Sequence, residues 1–125
     1  MKKIATLLFL FVAWPVLALP NIVLDRHVED VNQDGCKPPK IAAIAHLLKY
    51  GVPVTLADVQ QQYSTTGCAV KGTVTENGKT RGFRFEFGGI LYFDDGKILA
   101  CGQQCCDGNF VYCTYEPAVR EDGDG

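Results

Sequence analysis

The chain has 125 residues, 47% hydrophobic and 21% charged, with a net charge of −2, six cysteines and two histidines. That length fits one domain once a leader is set aside. The near-neutral charge without a basic patch counts against nucleic-acid binding, and an even cysteine count in an exported chain points to disulfides rather than cytosolic thiols.

Residues 1–18 read as a signal peptide. Met1-Lys2-Lys3 is a positive start, and Ile4 to Val12 form an uncharged apolar run. Trp14-Pro15 breaks a helix, and Val16-Leu17-Ala18 places small residues for cleavage after Ala18. The run is too short to span a bilayer, so no membrane span is expected after its removal. No cysteine lies beside the cleavage site, which leaves out the lipoprotein pattern. The Lys-Lys start suits a bacterial exported protein, periplasmic or secreted. Loss of Lys2 and Lys3 takes the charge from −2 to −4.

Residues 19–115 form the expected single domain. Residues 19–35 begin extended and become polar, ending in Asp30-Val31-Asn32-Gln33-Asp34-Gly35. Pro38-Pro39 suits a helix start. Ile41, Ile44, Ala45, Leu47 and Leu48 then fall on one face at helical spacing, with Gly51 suited to a left-handed cap and Pro53 preventing continuation. A second helix starts at Thr55, where Thr55 and Asp58 resemble a capping box. Leu56, Val59 and Tyr63 are its apolar stripe.

The remainder reads as antiparallel sheet. Asn77-Gly78 is a strong hairpin signal between "CAVKGTVTE" and "KTRGFRFEF". A two-residue loop sets Glu76 opposite Lys79, Val74 opposite Arg81 and Val70 opposite Phe85. Val70, Phe83, Phe85 and Phe87 then share one face, and Lys71, Thr73, Thr75, Arg84 and Glu86 the other. "ILYF" and "KILAC" make a second hairpin around Asp95-Gly96, pairing Phe93 with Ile98. Both of its faces are apolar, so it is expected to be covered on both sides. "NFVYCTY" is expected as a last strand. Residues 116–125 set Glu116, Glu121, Asp122 and Asp124 against Arg120 and read as an acidic flexible tail. The expected fold is α+β, disulfide-stabilised, with two N-terminal helices packed on an antiparallel sheet of about five strands.

Four groupings carry possible chemistry. Asp30, Asn32 and Asp34 at alternate positions, with Gly35 sixth, could turn oxygen ligands onto calcium. The stretch resembles the dockerin type of EF-hand loop, and that resemblance implies a calcium-dependent binding module. It departs where a ninth-position ligand would be Pro38 and the twelfth-position carboxylate is Ile41, which favours a polar turn. Cys36 precedes a helix, where the helix dipole favours a thiolate. "NQDGCKPPKIAAIAHLLKYG" resembles the first helix of bacteriocin-processing papain-like peptidases, which implies a small thiol hydrolase with Cys36 as nucleophile. Here Lys37 stands where that branch has Gly. His46 would lie roughly 15 Å along the same helix, leaving His27 as the base, and no histidine follows in the sheet.

Cys101, Cys105, Cys106 and Cys113 could bind zinc, but they lack paired Cys-x₂-Cys knuckles. With Cys36 and Cys68 they are read instead as disulfide partners. Adjacent Cys105 and Cys106 are expected to reach apart, one to Cys101 or Cys113 and the other across to Cys36 or Cys68. Tyr92, Phe110, Tyr112 and Tyr115 could line a binding surface or pack the core. The sequence implies no cofactor and no catalytic centre. It points to a small exported protein that binds another envelope or secreted protein.

Overall fold

The computed structural model describes residues 20–107 and 110–117. The expected signal peptide and the tail beyond Pro117 lie outside them. In chain order the elements are β1 (Asn21–Asp30), α1 (Ile41–Tyr50), β2 (Val52–Pro53), α2 (Leu56–Gln62), β3 (Cys68–Glu76), β4 (Lys79–Glu86), β5 (Ile90–Phe93) and β6 (Ile98–Ala100). The six strands form one antiparallel sheet in the order β1-β3-β4-β5-β6-β2. The class is α+β, with two corrections. The helices are not N-terminal, because β1 precedes them, and the sheet has six strands rather than five.

The β3–β4 hairpin has the register that its hydrophobic alternation requires. Val70 pairs with Phe85, Val74 with Arg81 and Glu76 with Lys79. Asn77 (φ 51°) and Gly78 (φ 79°) both take positive φ, the backbone of a two-residue hairpin turn. The β5–β6 hairpin differs from expectation by one residue: Tyr92, not Phe93, faces Ile98. The loop there has three residues, Asp94-Asp95-Gly96. The Gly96 N–H donates to Phe93 O, and the Phe93 N–H to Lys97 O. Gly96 at φ 91° is the extra left-handed residue that shifts the pairing.

α1 and α2 cover opposite faces of the sheet. Val70, Val74, Phe85 and Leu91 point to one face and pack with Ile44 and Leu47 of α1, all fully buried. Ile90, Ile98 and Ala100 point to the other and pack with Val59 of α2. Alternation along β5 produces the split, since Ile90 and Leu91 must face opposite ways. β5 is thus covered on both sides. Leu56 departs from its expected stripe and is 61% exposed.

The helix ends differ in chemistry. Thr55 Oγ1 accepts from the Asp58 N–H while Asp58 accepts from the Thr55 N–H, closing the capping box. α1 begins after Pro38-Pro39, with Lys40 as an N-cap that makes no side-chain bond. Gly51 is extended (φ −68°, ψ 159°), not left-handed. Its glycine serves close approach: a Cβ there would stand 2.5 Å from Leu47 O.

Glu86 was expected on the polar face and is instead buried, at 4% exposure. Its carboxylate accepts from the backbone N–H groups of Gly88 (2.6 Å) and Thr66 (3.0 Å), which brings the turn after β4 against the loop before β3. Residues 110–117, expected to hold the last strand, have no ladder partner. The Glu116 N–H donates to Gln62 O, and Thr114 Oγ1 donates to Gly88 O at 2.7 Å. The segment packs as an irregular strap over the sheet end.

Candidate functional site

The loop from Asp30 to Cys36 joins the end of β1 to the approach of α1. Asp30 pairs with Cys68 in the ladder and the Val31 N–H donates to Gly67 O, which fixes the start of the loop, and the Cys36–Cys68 bond fixes its end. Gln33 and Gly35 take positive φ and turn the intervening N–H groups inward. Asp30 Oδ1 accepts from the Asp34 N–H at 2.8 Å. Oδ2 accepts from Gly35 at 2.8 Å and Cys36 at 2.9 Å. These donors, Cys36 foremost and then Asp34, hold the Asp30 carboxyl below its ordinary value of 3.8. Both oxygens of the first candidate calcium ligand are thereby directed at the chain's own backbone. Among the described residues, the metal-like grouping around Asp30 brings in Cys36 and Cys68 rather than Asp34. Those two sulfurs are bonded to each other and are not thiolate ligands.

Cys36 is joined to Cys68 with Cα atoms 5.9 Å apart, so it presents no thiol. His27 is exposed in a bulge of β1, where Leu24 pairs with Gly72 and Val28 already pairs with Val70. His46 Nε2 lies 2.8 Å from Cys105 O and its ring stacks on Phe110 at 4.9 Å. Nε2 is therefore the protonated nitrogen that donates to that carbonyl. Among the described residues no hydrogen bond joins Cys36 to either histidine.

Cys101 bonds Cys105 (Cα–Cα 4.9 Å) and Cys106 bonds Cys113 (5.6 Å). The adjacent pair does reach apart. Neither member crosses to Cys36 or Cys68, because the 32-residue separation of those two is closed by their own bond. All six sulfurs are in bridges, so the grouping of His46 with Cys101 and Cys105 offers one imidazole and two disulfide sulfurs, not a zinc site.

The stapled segment builds a different feature. An apolar groove of about 600 Å³ runs between α1 and the strap. Ala42, Ala43, His46 and Tyr50 form the α1 wall; Phe110, Val111 and Tyr112 form the other. The two alanines keep the α1 wall low. Tyr112 stands edge-on to Phe85, Phe87 and Phe110, and burial pushes its phenol up from the ordinary value. Val111 is 80% exposed and Tyr50 46%. Lys37, Lys40 and Lys49 stand exposed along the α1 side, and no ion pair among the described residues includes them. Lys49 Nζ lies 5.2 Å from the Tyr50 ring centre.

Of the four aromatic residues singled out from the sequence, Phe110 and Tyr112 line this groove. Tyr115 packs on Tyr63 at 5.5 Å, and Tyr92 lies with the α2 cluster on the opposite face. Sequence reading missed Ala42, Tyr50 and Val111. The available signal was the small-residue face of α1, which was read only as part of a helix. No family model, curated protein or solved structure matches the chain.

Proposed function

We propose that the protein is a small exported binding protein without a catalytic centre, which recognises another envelope or secreted protein. Inhibitor, immunity and surface-interaction roles all share that physical task. The observation that carries the reading is the groove between α1 and the strap. Exposed Val111 and Tyr50 beside buried Phe110 and half-buried Tyr112 offer a rigid aromatic and apolar surface, the composition found at the centre of protein interfaces. Leaving such a patch wet is unfavourable by about 25 cal/mol per Å², and a partner's apolar side chains would recover that. Lys37, Lys40 and Lys49 flank one side. They favour an apolar segment bordered by carboxylates and would steer its approach.

A photo-crosslinking side chain at Val111 tests this in secreted and envelope fractions, with Thr73 on the opposite sheet face as the control site. The expected result is one discrete partner captured from position 111 and not from 73, with capture weakened as salt rises. Identical patterns from the two positions would sink the reading.

A further inference from the structure

A second cleft, of about 310 Å³, shares Tyr50 with the groove and is otherwise built from different parts. Four pieces of chain supply its polar and aromatic lining. Tyr50 ends α1, Gln62 and Tyr63 close α2, Gln103 and Gln104 lie on the turn after β6, and Tyr115 comes from the strap. The backbone of the cleft is fixed. The Cys101–Cys105 bond closes the turn, where the Cys105 and Cys106 N–H groups both donate to Gly102 O. The Glu116 N–H donates to Gln62 O, and the rings of Tyr63 and Tyr115 lie 5.5 Å apart, which ties the strap to α2. A frame held in this way needs little ordering when a ligand enters.

The lining carries no charge: among the described residues, no Asp, Glu, Lys, Arg or His borders the cleft. It carries instead three side-chain amides and three phenols, and none of the six makes a side-chain hydrogen bond among the described residues. Burial, then Tyr115 and Asp58, push the Tyr63 phenol above its ordinary value of 10.0, so it stays a neutral donor. Each amide offers two donors and an acceptor, and each phenol a donor and an acceptor. An ionic ligand would find no counter-charge here and would lose its hydration without return. A purely apolar ligand would leave the amides and phenols unpaired. The lining fits a ligand that is uncharged, dense in hydroxyls that both donate and accept, and able to lay a C–H face on the negative face of an aromatic ring. A pyranose sugar meets all three conditions.

We infer that this cleft binds a neutral saccharide unit, with the Tyr63–Tyr115 pair as its stacking surface and the amides of Gln62, Gln103 and Gln104 bonding its hydroxyls. Its volume lies at the lower end of ligand cavities and suits one sugar ring. The site goes beyond the protein partner proposed for the groove and does not rest on it.

The test titrates the full, folded, isotope-labelled chain with glucose, galactose, N-acetylglucosamine, cellobiose and N,N′-diacetylchitobiose, each to about 50 mM, and follows it by NMR. At least one sugar should shift the side-chain amide signals of Gln62, Gln103 and Gln104 saturably, with a dissociation constant of about 1 mM or below, as expected for so small a ligand. Gln103 and Gln104 are exposed, so Gln103→Ala and Gln104→Ala should keep the parent's backbone amide spectrum. Each should weaken the binding about threefold to tenfold. Glucuronate and acetyl-triglycine amide, the charged and the peptide probes, should give no saturable shift. Val111→Ser, in the groove, should leave sugar binding unchanged. Tighter binding of a disaccharide than of its single unit places a glycan chain in the cleft, and equal binding places a free sugar there; both sustain the inference. It is overturned if no sugar gives a saturable shift, if the shifts fall on Ala42, Ala43 and Val111 instead, if both alanine variants bind like the parent, or if glucuronate or the peptide binds as tightly as the best sugar.

Discussion

At the scale of single residues, the two most constrained carboxylates act on the backbone, and the pH response follows from one of them. Asp30 is held below 3.8 by the N–H groups of Cys36 and Asp34. A folded-state value below the unfolded one means that its stabilisation is complete above 3.8 and is lost as pH falls through the folded value. Asp30→Asn keeps one acceptor oxygen and loses the charge. It should lower the melting temperature at neutral pH and flatten the parent's acid-side decline. Thermal melts from about pH 2 to 7 check this, and a variant that keeps the full acid slope would show that other groups carry it. Glu86 makes the opposite kind of contribution, from inside. Removing its carboxylate strands the buried Gly88 N–H and leaves the half-buried Thr66 N–H without its acceptor. Glu86→Ala should cost about 2–4 kcal/mol in denaturant unfolding, since each stranded buried donor costs about 1–3 kcal/mol. Glu86→Gln keeps an acceptor and should cost less. A surface role would leave both variants near zero.

At the scale of elements, what the sequence discloses depends on whether the deciding force is local. The β3–β4 register is legible because Asn77-Gly78 and the Val–Phe alternation agree. The β5–β6 register is not, because Asp94-Asp95-Gly96 reads equally as a two- or three-residue loop and both strand faces are apolar. β1 is legible only as an extended start and not as a sheet strand, because Asp25-Arg26-His27 interrupts its alternation and it pairs with β3, far along the chain. The Asp30 turn is legible for the same local reason as the first hairpin. The groove is not, because its two walls, α1 and residues 110–112, lie about sixty residues apart in the chain and come together only in the fold. Gly51 is a case where the residue was noticed and its reason was not. The extended backbone there admits any side chain, yet a Cβ would also stand 2.9 Å from Leu47 Cδ1, inside the core. Gly51→Ala should therefore destabilise by overpacking, by about 1–3 kcal/mol in chemical unfolding. A left-handed cap would have predicted a similar loss for a different cause. In the Leu47→Ala background the Cδ1 contact is gone while the approach to Leu47 O remains, so the cost of Gly51→Ala should fall only in part, and no fall at all would assign the whole cost to the backbone carbonyl rather than to the core side chain.

At the scale of the whole molecule, β1 and β2 are the edge strands of the sheet among the described residues, and each edge is blunted by a different device. β2 is two residues long and contains Pro53, which has no N–H to offer a neighbour. β1 is ten residues long and would be an inviting template for another strand. Its bulge sets Asp25, Arg26 and His27 against Lys71 alone, so the row of outward N–H and C=O groups is broken midway by three exposed polar residues. Leu24 and Val28 on either side of it still pack into the core, so the interruption does not cost the inward face. Deleting Arg26 and His27 together leaves Asp25 opposite Lys71 and preserves the alternation that points Leu24 and Val28 inward. Deleting only one would turn the rest of the strand over. The two-residue deletion should therefore fold with a regular edge and associate through it, giving a larger weight-average mass by light scattering than the parent at the same concentration. Lysine substituted at exposed Val23 on that straightened edge should reduce the association. Equal masses for parent and deletion, with both folded, would mean that β1 is protected by something other than its bulge.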